Sequence, residues 1–251
     1  MGLLNKDVFV CYDLETTGLD ATQDRIIEIA CVRFTLEGVL ESYETLIDPG
    51  CPISLESTAI HHITDPMVQG KPKIESILPA VVKFLGKEIL VGHGIQMDIS
   101  FISAACKRHS VPCQIESQTF IDTLRLARLY GESPFNSLEK LREHFNIAPE
   151  GAHRAMSDVI VNIEVFKYLS KQFKTTEQLL ERLKRPILLK NMPLGKHKGR
   201  PFAEIPIEYL HWAIHKDFDQ DLIFSIRTEL NRRKKGKGNL FSQAGNPFSS
   251  L

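Results

Sequence analysis

The sequence predicts an α/β domain with a mixed β-sheet, followed by a small basic module. Two strand-like stretches flank the pair Glu37-Gly38, which indicates an antiparallel hairpin. Beyond residue 74, helical periodicity alternates with short apolar runs, a pattern typical of a sheet covered by helices. Residues 1–181 contain 17 Lys+Arg and 25 Asp+Glu, whereas residues 182–251 contain 14 Lys+Arg and 6 Asp+Glu. This division favours a second module that faces an anionic partner, with a merely solvated basic tail as the alternative.

The individual elements follow from the spacing of apolar residues. Strands are predicted where short apolar or alternating runs occur, at 7–15, 25–35, 39–48, 88–93 and 119–124. Helices are predicted where apolar residues recur every three or four positions, at 74–86, 98–110, 136–145 and 157–173.

The domain organisation is predicted from composition. We expect the α/β domain at 1–175, a linking helix at 176–190, a basic module with two short helices at 191–235, and a disordered Gly/Ser-rich tail at 236–251. The single tryptophan, Trp212, is expected in the core of the basic module.

Bulk composition excludes several classes of protein. The chain has 251 residues, 43% of them hydrophobic and 25% charged, which is typical of globular proteins. No apolar run approaches the length of about 20 residues that spans a bilayer, and the N-terminal apolar stretch is too short for a signal peptide. We therefore expect a cytoplasmic protein with no membrane partner. The five cysteines form no C-x-x-C pair, which argues against a zinc site or a disulfide framework.

Two acidic residues at the end of the first strand are the first sign of chemistry. Asp13 and Glu15 are two positions apart, so on a strand they project from the same face. Like charges that close repel, and burial makes the ionised forms less favourable. Either one carboxylate keeps a proton, or a hard cation such as Mg²⁺ or Mn²⁺ lies between them, or both acids face solvent.

Three further candidates follow downstream. Asp98 comes after the fourth strand and opens a helix, where an acidic residue is also favoured by the helix dipole alone. His153 and Asp158 are five positions apart, which suits a histidine on a loop and an aspartate in the first turn of the next helix. A loop histidine without function is the alternative for His153.

Taken together, these residues carry a resemblance to a known family. The segments YDLETTGL (12–19), VGHGIQMDISFI (91–102) and HRAMSD (153–158) resemble the three motifs of the DEDD 3′→5′ exonucleases, in the His-containing DEDDh subgroup. Over residues 7–175 the chain is similar to the DnaQ-like, epsilon-type proofreading exonucleases of DNA polymerase III. The resemblance implies a ribonuclease-H-like fold with a five-stranded mixed sheet. The second motif departs from the usual His-Asn-x-x-Phe-Asp, with Gly94 and Met97 in place of the Asn and Phe.

The resemblance also implies roles for the candidate residues. Asp13, Glu15, Asp98 and Asp158 would hold two divalent ions, Mg²⁺ or Mn²⁺, and His153 would act as the general base. The implied nucleic-acid contacts in this domain are Thr16, Thr17, Gly18 and His93. Asp122 is expected to be a structural acid that caps the following helix.

The implied reaction is hydrolysis of single-stranded 3′ ends to nucleoside 5′-monophosphates, in proofreading or repair. DNA is the favoured substrate. Oligoribonuclease and ribonuclease T belong to the same superfamily, so an RNA-trimming exoribonuclease is the alternative. A nucleic-acid-binding module without catalytic activity is the third possibility. A replicative DNA polymerase or its sliding clamp is the protein partner that the resemblance suggests, and GNLFSQ (238–243) weakly resembles a clamp-binding peptide.

The basic module offers its own candidates. Lys196, Lys198 and Arg200 lie in a glycine-containing turn and are expected to contact phosphates, since clustered basic charge gives salt-dependent affinity for nucleic acid.

Overall fold

The structure is a computed structural model. It describes residues 3–130, 135–148 and 154–242, with side chains described up to residue 235. The chain divides into two compact units, Met1–Leu183 and Lys184–Leu251.

The first unit is built on one five-stranded sheet. Its strands are β1 (Phe9–Thr16), β2 (Ile26–Thr35), β3 (Gly38–Leu46), β4 (Ile89–Gly92) and β5 (Phe120–Asp122). Their order across the sheet is β3-β2-β1-β4-β5. The β1–β2 and β2–β3 pairs are antiparallel, whereas β1–β4 and β4–β5 are parallel. The predicted mixed sheet of ribonuclease-H type is confirmed.

Helices cover the sheet of the first unit. Those of the described residues are α1 (Leu55–His61), α2 (Asp65–Val68), α3 (Ile74–Leu85), α4 (Gln96–Arg108), α5 (Thr123–Tyr130), α6 (Leu138–His144), α7 (Ala155–Ser170) and α8 (Thr176–Lys184). The predicted strands and helices match these bounds to within a few residues. The two short helices α1 and α2 were not predicted, because four to seven residues carry too little periodicity to be recognised.

Strand β1 shows why both faces of the sheet are covered. Phe9 and Cys11 point to the face where α7 packs, and Val10 and Tyr12 point to the face covered by α3 and α4. All four are at most 1% exposed. A strand buried on both faces is apolar at consecutive positions, which is the pattern that predicts β1 as an interior strand. Packing on both faces also makes β1 a rigid support for Asp13 and Glu15 at its end.

Helix α8 lies in the segment predicted as a linking helix, residues 176–190. Leu179 and Leu183 of α8 belong to the core of the first unit, and the division between the units follows Leu183.

The second unit contains helices α9 (Ile207–Ala213) and α10 (Gln220–Ser242). Up to residue 235, eight buried side chains form its core, among them Met192, Leu210 and Ile226. Trp212 is 50% exposed, so the prediction that it lies in this core is wrong. Helix α10 includes residues 236–242 of the predicted disordered tail, and residues 243–251 lie outside the described residues. None of the helices in the described ranges is long and apolar enough to cross a membrane.

Candidate active site

The two acids of β1 lie where that strand extends past its neighbour. Strand β1 pairs with β4 only from Phe9 to Cys11, so Asp13 and Glu15 lie beyond the end of the parallel ladder. Asp13 and Glu15 are both half-buried at this end and project from the same face, as their spacing predicts.

The first turn of α7 brings a third carboxylate to this place. Asp158 is held in the helix by its backbone N–H, which donates to the Arg154 carbonyl oxygen at 3.1 Å. Carboxylate oxygens of Asp13, Glu15 and Asp158 all lie within 4.8 Å of one another. Residues separated by more than 140 positions in the sequence therefore form one acidic cluster.

Asp98 lies beside this cluster, in the first turn of α4. Its side chain is only 5% exposed, and burial raises its pKa to about 8. Hydrogen bonds from the backbone at Asp98 and Leu14 oppose that rise. After burial, the charge of Asp98 is the largest influence that raises the pKa of Asp13.

The electrostatics of the cluster are unfavourable for four ionised carboxylates. Burial, followed by the charges of Asp98, Glu15 and Asp158, raises the pKa of Asp13 well above its ordinary value. Burial and then Asp158 raise the pKa of Glu15 to about 8, although Arg154 opposes the shift. Because the donors are all carboxylate oxygens, the cluster suits a hard divalent cation, which would neutralise this repulsion.

Glu28 is a residue of the candidate site that the sequence analysis missed. It lies opposite Glu15 in the β1–β2 register, and its side chain is completely buried. Arg154 Nη2 donates to Glu28 Oε1 at 2.6 Å, and the Ala155 backbone N–H donates to Oε2 at 3.0 Å. Glu28 thereby attaches the start of α7, and with it Asp158, to the sheet.

The turn after β1 is organised around Asp24. The Thr17 hydroxyl donates to Asp24 Oδ1 at 3.1 Å, and the Asp20 N–H donates to Oδ2 at 2.9 Å. A Cβ on Gly18 would lie 2.4 Å from Asp24 Oδ2, so only glycine allows this carboxylate to approach. The Thr16 hydroxyl donates to the Gly18 carbonyl oxygen at 2.6 Å. The hydroxyls of Thr16 and Thr17 are thus already engaged within the turn.

His93 is held inside the protein through both ring nitrogens. Nε2 lies 2.8 Å from the Asn136 carbonyl oxygen and therefore carries the proton, while Nδ1 lies 3.1 Å from the Thr123 hydroxyl. Burial lowers the pKa of His93 to about 4, so the ring is neutral at neutral pH. These contacts hold the ring in place, and the contact of His93 with nucleic acid stays a prediction.

Asp122 contacts the altered second motif. Its Oδ1 accepts the backbone N–H of Leu124 at 2.9 Å, which confirms the predicted capping of α5. The same oxygen accepts the N–H of Gly94 at 2.9 Å. Gly94 has a φ of +73°, a conformation that favours glycine. Asp122 therefore fixes both the helix and the loop that leads to Asp98.

His153, the expected general base, lies outside the described residues. Its chain neighbour Arg154 is the residue that Glu28 anchors.

Comparison with known proteins decides the family. The family model described as Exonuclease, RNase_T, matches residues 10–166, more than half of the chain. This chain belongs to the RNase T/DnaQ-like exonuclease family. We refer to residues 1–183 as the exonuclease domain. The acidic cluster of this domain is consistent with the DEDD active site of the family.

The exonuclease domain has relatives within much longer proteins. It is 36% identical over 165 residues to the PolC-type DNA polymerase III of Caldanaerobacter subterraneus, a match that covers 65% of this chain and 12% of the relative. The PolC-type enzyme of Clostridium perfringens is 33% identical over 169 residues, a match that covers 67% of this chain and 12% of the relative. The chain thus spans about a tenth of the length of these polymerases.

Solved structures give the same fold for the exonuclease domain. Exonuclease X in complex with 5′-overhanging duplex DNA is 27% identical, with a TM-score of 0.54 over 70% of this chain and 99% of that one. E. coli Exonuclease I in complex with a dA16 oligonucleotide is 21% identical, with a TM-score of 0.61 over 71% of this chain and 43% of that one. At this identity the likeness supports the fold alone. A second family model, QSregVF_b, described as a proposed quorum-sensing-regulated virulence factor, matches residues 178–225.

Proposed function

We propose that the chain is a metal-dependent 3′→5′ exonuclease that releases nucleoside 5′-monophosphates from single-stranded DNA ends. The observation that carries this proposal is the acidic cluster, in which oxygens of Asp13, Glu15 and Asp158 lie within 4.8 Å of one another. Buried Asp98 lies beside it, close enough to raise the pKa of Asp13.

The cluster suits two divalent ions, Mg²⁺ or Mn²⁺. Asp13, Glu15 and Asp158 would hold one ion, and Asp13 with Asp98 would hold the other. Two such ions stabilise the attacking and leaving oxygens of an in-line phosphoryl displacement. The raised pKa values of Glu15 and Asp98 support this arrangement, because carboxylates that repel one another gain most from a cation between them.

The chain itself would supply the base and its support. His153 directly precedes Arg154, whose guanidinium is anchored on Glu28. An imidazole with an ordinary pKa near 6.5 can accept a proton from the attacking water near neutral pH. The Glu28–Arg154 pair would therefore position this base as well as Asp158.

The end of the DNA strand would lie against the turn after β1. The Thr17 carbonyl oxygen accepts a 2.8 Å hydrogen bond from the Ser57 hydroxyl, which joins α1 to Thr16-Thr17-Gly18. Leu19 and Leu55, which border this junction, are 82% and 87% exposed. Apolar side chains exposed beside a site can contact the faces of unpaired bases, which supports a single-stranded end as the ligand.

DNA is favoured over RNA by the relatives. PolC-type enzymes are named as DNA polymerases, and Exonuclease X was solved with DNA. The polymerase relatives also support a replicative DNA polymerase as the protein partner.

The substrate experiment uses single-stranded DNA and RNA of the same sequence, each labelled at the 5′ end, with Mg²⁺ or Mn²⁺. A ladder of shortened DNA products, absent with EDTA and in Asp13→Asn, supports the proposal. The matched control is Glu164→Gln, an exposed carboxylate on the same helix as Asp158. A faster ladder from RNA would make the chain an exoribonuclease, and binding without degradation in either metal would make it a nucleic-acid-binding module.

A further inference from the structure

The second unit carries two neighbouring aromatic rings on α9, of which Trp212 is exposed and Tyr209 is half-buried against the core. Tyr209 and Trp212 are three positions apart on α9 and therefore share one side of that helix. Their ring centroids lie 5.2 Å apart at an interplanar angle of 42°. Trp212 is 50% exposed, whereas Leu210 and Ala213 on the same helix are fully buried. Burial of a tryptophan side chain is strongly stabilising, but half of the Trp212 surface is in contact with water. This exposure points to a ligand that covers the ring.

Lysines from two separate segments lie over these rings. Lys216 Nζ is 4.9 Å from the Trp212 ring centroid, and Lys196 Nζ is 5.7 Å from that of Tyr209. Both distances are within the range of cation–π attraction. Lys198 and Arg200 are exposed on the same turn as Lys196. A lysine therefore lies at each of the two neighbouring rings, and two further cations lie on the turn that carries Lys196.

The turn that carries Lys196 has a fixed shape. Gly195 and Gly199 have φ values of +72° and +83°, and a Cβ on Gly195 would lie 2.8 Å from the Tyr209 hydroxyl. The backbone N–H of Met192 donates to the Arg200 carbonyl oxygen at 2.9 Å, which closes the turn. Glycine at position 195 thus allows the basic turn to lie directly against the aromatic pair.

A buried histidine at the centre of the turn has an unused polar atom. His197 is 7% exposed and meets the Tyr209 ring edge to face, with centroids 4.5 Å apart. Among the described residues, no hydrogen-bond partner reaches its Nε2. The buried imidazole packs against Tyr209 and so helps to hold the basic turn beside the aromatic pair.

We propose that this aromatic–basic surface, formed by Lys196, Lys198, Arg200, Tyr209, Trp212 and Lys216, binds single-stranded nucleic acid. Unpaired bases present their faces to Trp212 and Tyr209, and the cations contact the phosphates between them. Stacking on aromatic side chains combined with a basic path for the backbone is how single strands are bound without sequence preference. A duplex hides its base faces and gains only the phosphate contacts. This goes beyond the proposed function, since the binding needs neither the acidic cluster nor a metal ion.

The test uses the intrinsic fluorescence of the full chain, whose single tryptophan is Trp212. The Asp13→Asn variant is titrated in EDTA with a dT16 oligonucleotide, so that hydrolysis does not contribute. We expect saturable quenching that weakens steeply with salt, and much weaker quenching by a 16-base-pair duplex. An rU16 arm shows whether the surface distinguishes RNA from DNA. No quenching at low salt, or equal quenching by duplex or polyglutamate, would overturn the proposal.

Variants separate this surface from general basic charge. Lys216→Glu should raise the Kd several-fold more than Lys234→Glu, an identical charge change at an exposed position of α10. Trp212→Ala, followed by anisotropy of a labelled dT16, should raise the Kd about five- to hundredfold, because stacking on one ring contributes about 1–3 kcal/mol. Trp212→Phe, which keeps an aromatic ring, should raise the Kd less than Trp212→Ala. Equal effects of the two lysine variants, or an unchanged Kd for Trp212→Ala, would contradict the proposal.

Discussion

Glu28 binds Arg154 through both of its carboxylate oxygens, across 126 positions of sequence. Arg154 Nε lies 3.0 and 3.2 Å from the two oxygens, and Nη2 lies 2.6 Å from Oε1. The Glu28 side chain is fully buried, whereas that of Arg154 is 40% exposed. A carboxylate in the middle of β2 thus fixes the residue before α7, and the first turn of α7 carries Asp158.

Replacement of Glu28 should cost both stability and activity. We expect Glu28→Gln to lower the free energy of unfolding by about 2–4 kcal/mol, less than for a fully buried pair because Arg154 reaches solvent. Displacement of Asp158 and His153 should lower kcat by on the order of tenfold or more. Thermal unfolding and steady-state kinetics measure the two effects. Glu37→Gln, at an exposed position of the turn between β2 and β3, is the control. If the two variants have the same unfolding free energy and the same kcat, Glu28 does not position α7.

The stability of the metal-free protein should fall as the pH rises. The pKa values of Glu15 and Asp98 are raised to about 8, so the folded protein keeps protons that the unfolded chain releases. Their stabilising effect is complete below the ordinary carboxyl range, near pH 4, and is lost as the pH rises towards about 8.

The Tm of EDTA-treated protein should therefore decrease by several degrees between pH 5 and pH 8.5. Mg²⁺ should reduce the decrease, since a cation favours the ionised carboxylates. Glu15→Gln should flatten the profile, whereas Glu164→Gln should leave it unchanged. A Tm that rises over this range in EDTA would show that burial and mutual repulsion do not raise the pKa values of these carboxyl groups.

The sequence reveals the ends of elements better than contacts between distant segments. The shared face of Asp13 and Glu15 could be predicted because alternation in β1 is visible locally, whereas Asp158 was joined to them through the resemblance of three motifs to the DEDDh exonucleases. Glu28 could not, because in RIIEIACV it is one polar residue in an apolar strand, and nothing local indicates Arg154. Trp212 was misplaced because apolar character predicts burial, whereas the core of the second unit is filled by other side chains.

Gly18→Ala should disturb the turn that borders the acidic cluster. The new methyl group would overlap the Asp24 carboxylate, which holds Thr17 and the Asp20 backbone. We expect a loss of about 1–3 kcal/mol in unfolding free energy and a higher KM for a single-stranded substrate. The control is Gly38→Ala, where a Cβ meets no atom within 4 Å. If both variants show the same KM, the turn does not contact the substrate.

The second motif offers a test of backbone conformation. Gly94→Ala should destabilise the protein by about 1–2 kcal/mol, because φ is +73° there and the nearest atom to an added Cβ, at 3.9 Å, leaves room for it. Gly94→Asn should cost less, since asparagine tolerates positive φ better than alanine. Denaturant unfolding measures both. A loss for asparagine equal to or larger than that for alanine would indicate a side-chain clash in place of backbone strain.

Calorimetric titration of Mn²⁺ into the wild-type chain tests whether Asp13, Glu15, Asp98 and Asp158 form a two-metal centre. We predict two bound ions per chain, with release of protons near pH 7, because the pKa values of Glu15 and Asp98 lie near 8 without metal. Asp13→Asn should lose this binding and Glu164→Gln should keep it. Absence of binding in the wild type, or unchanged binding in Asp13→Asn, would contradict the account.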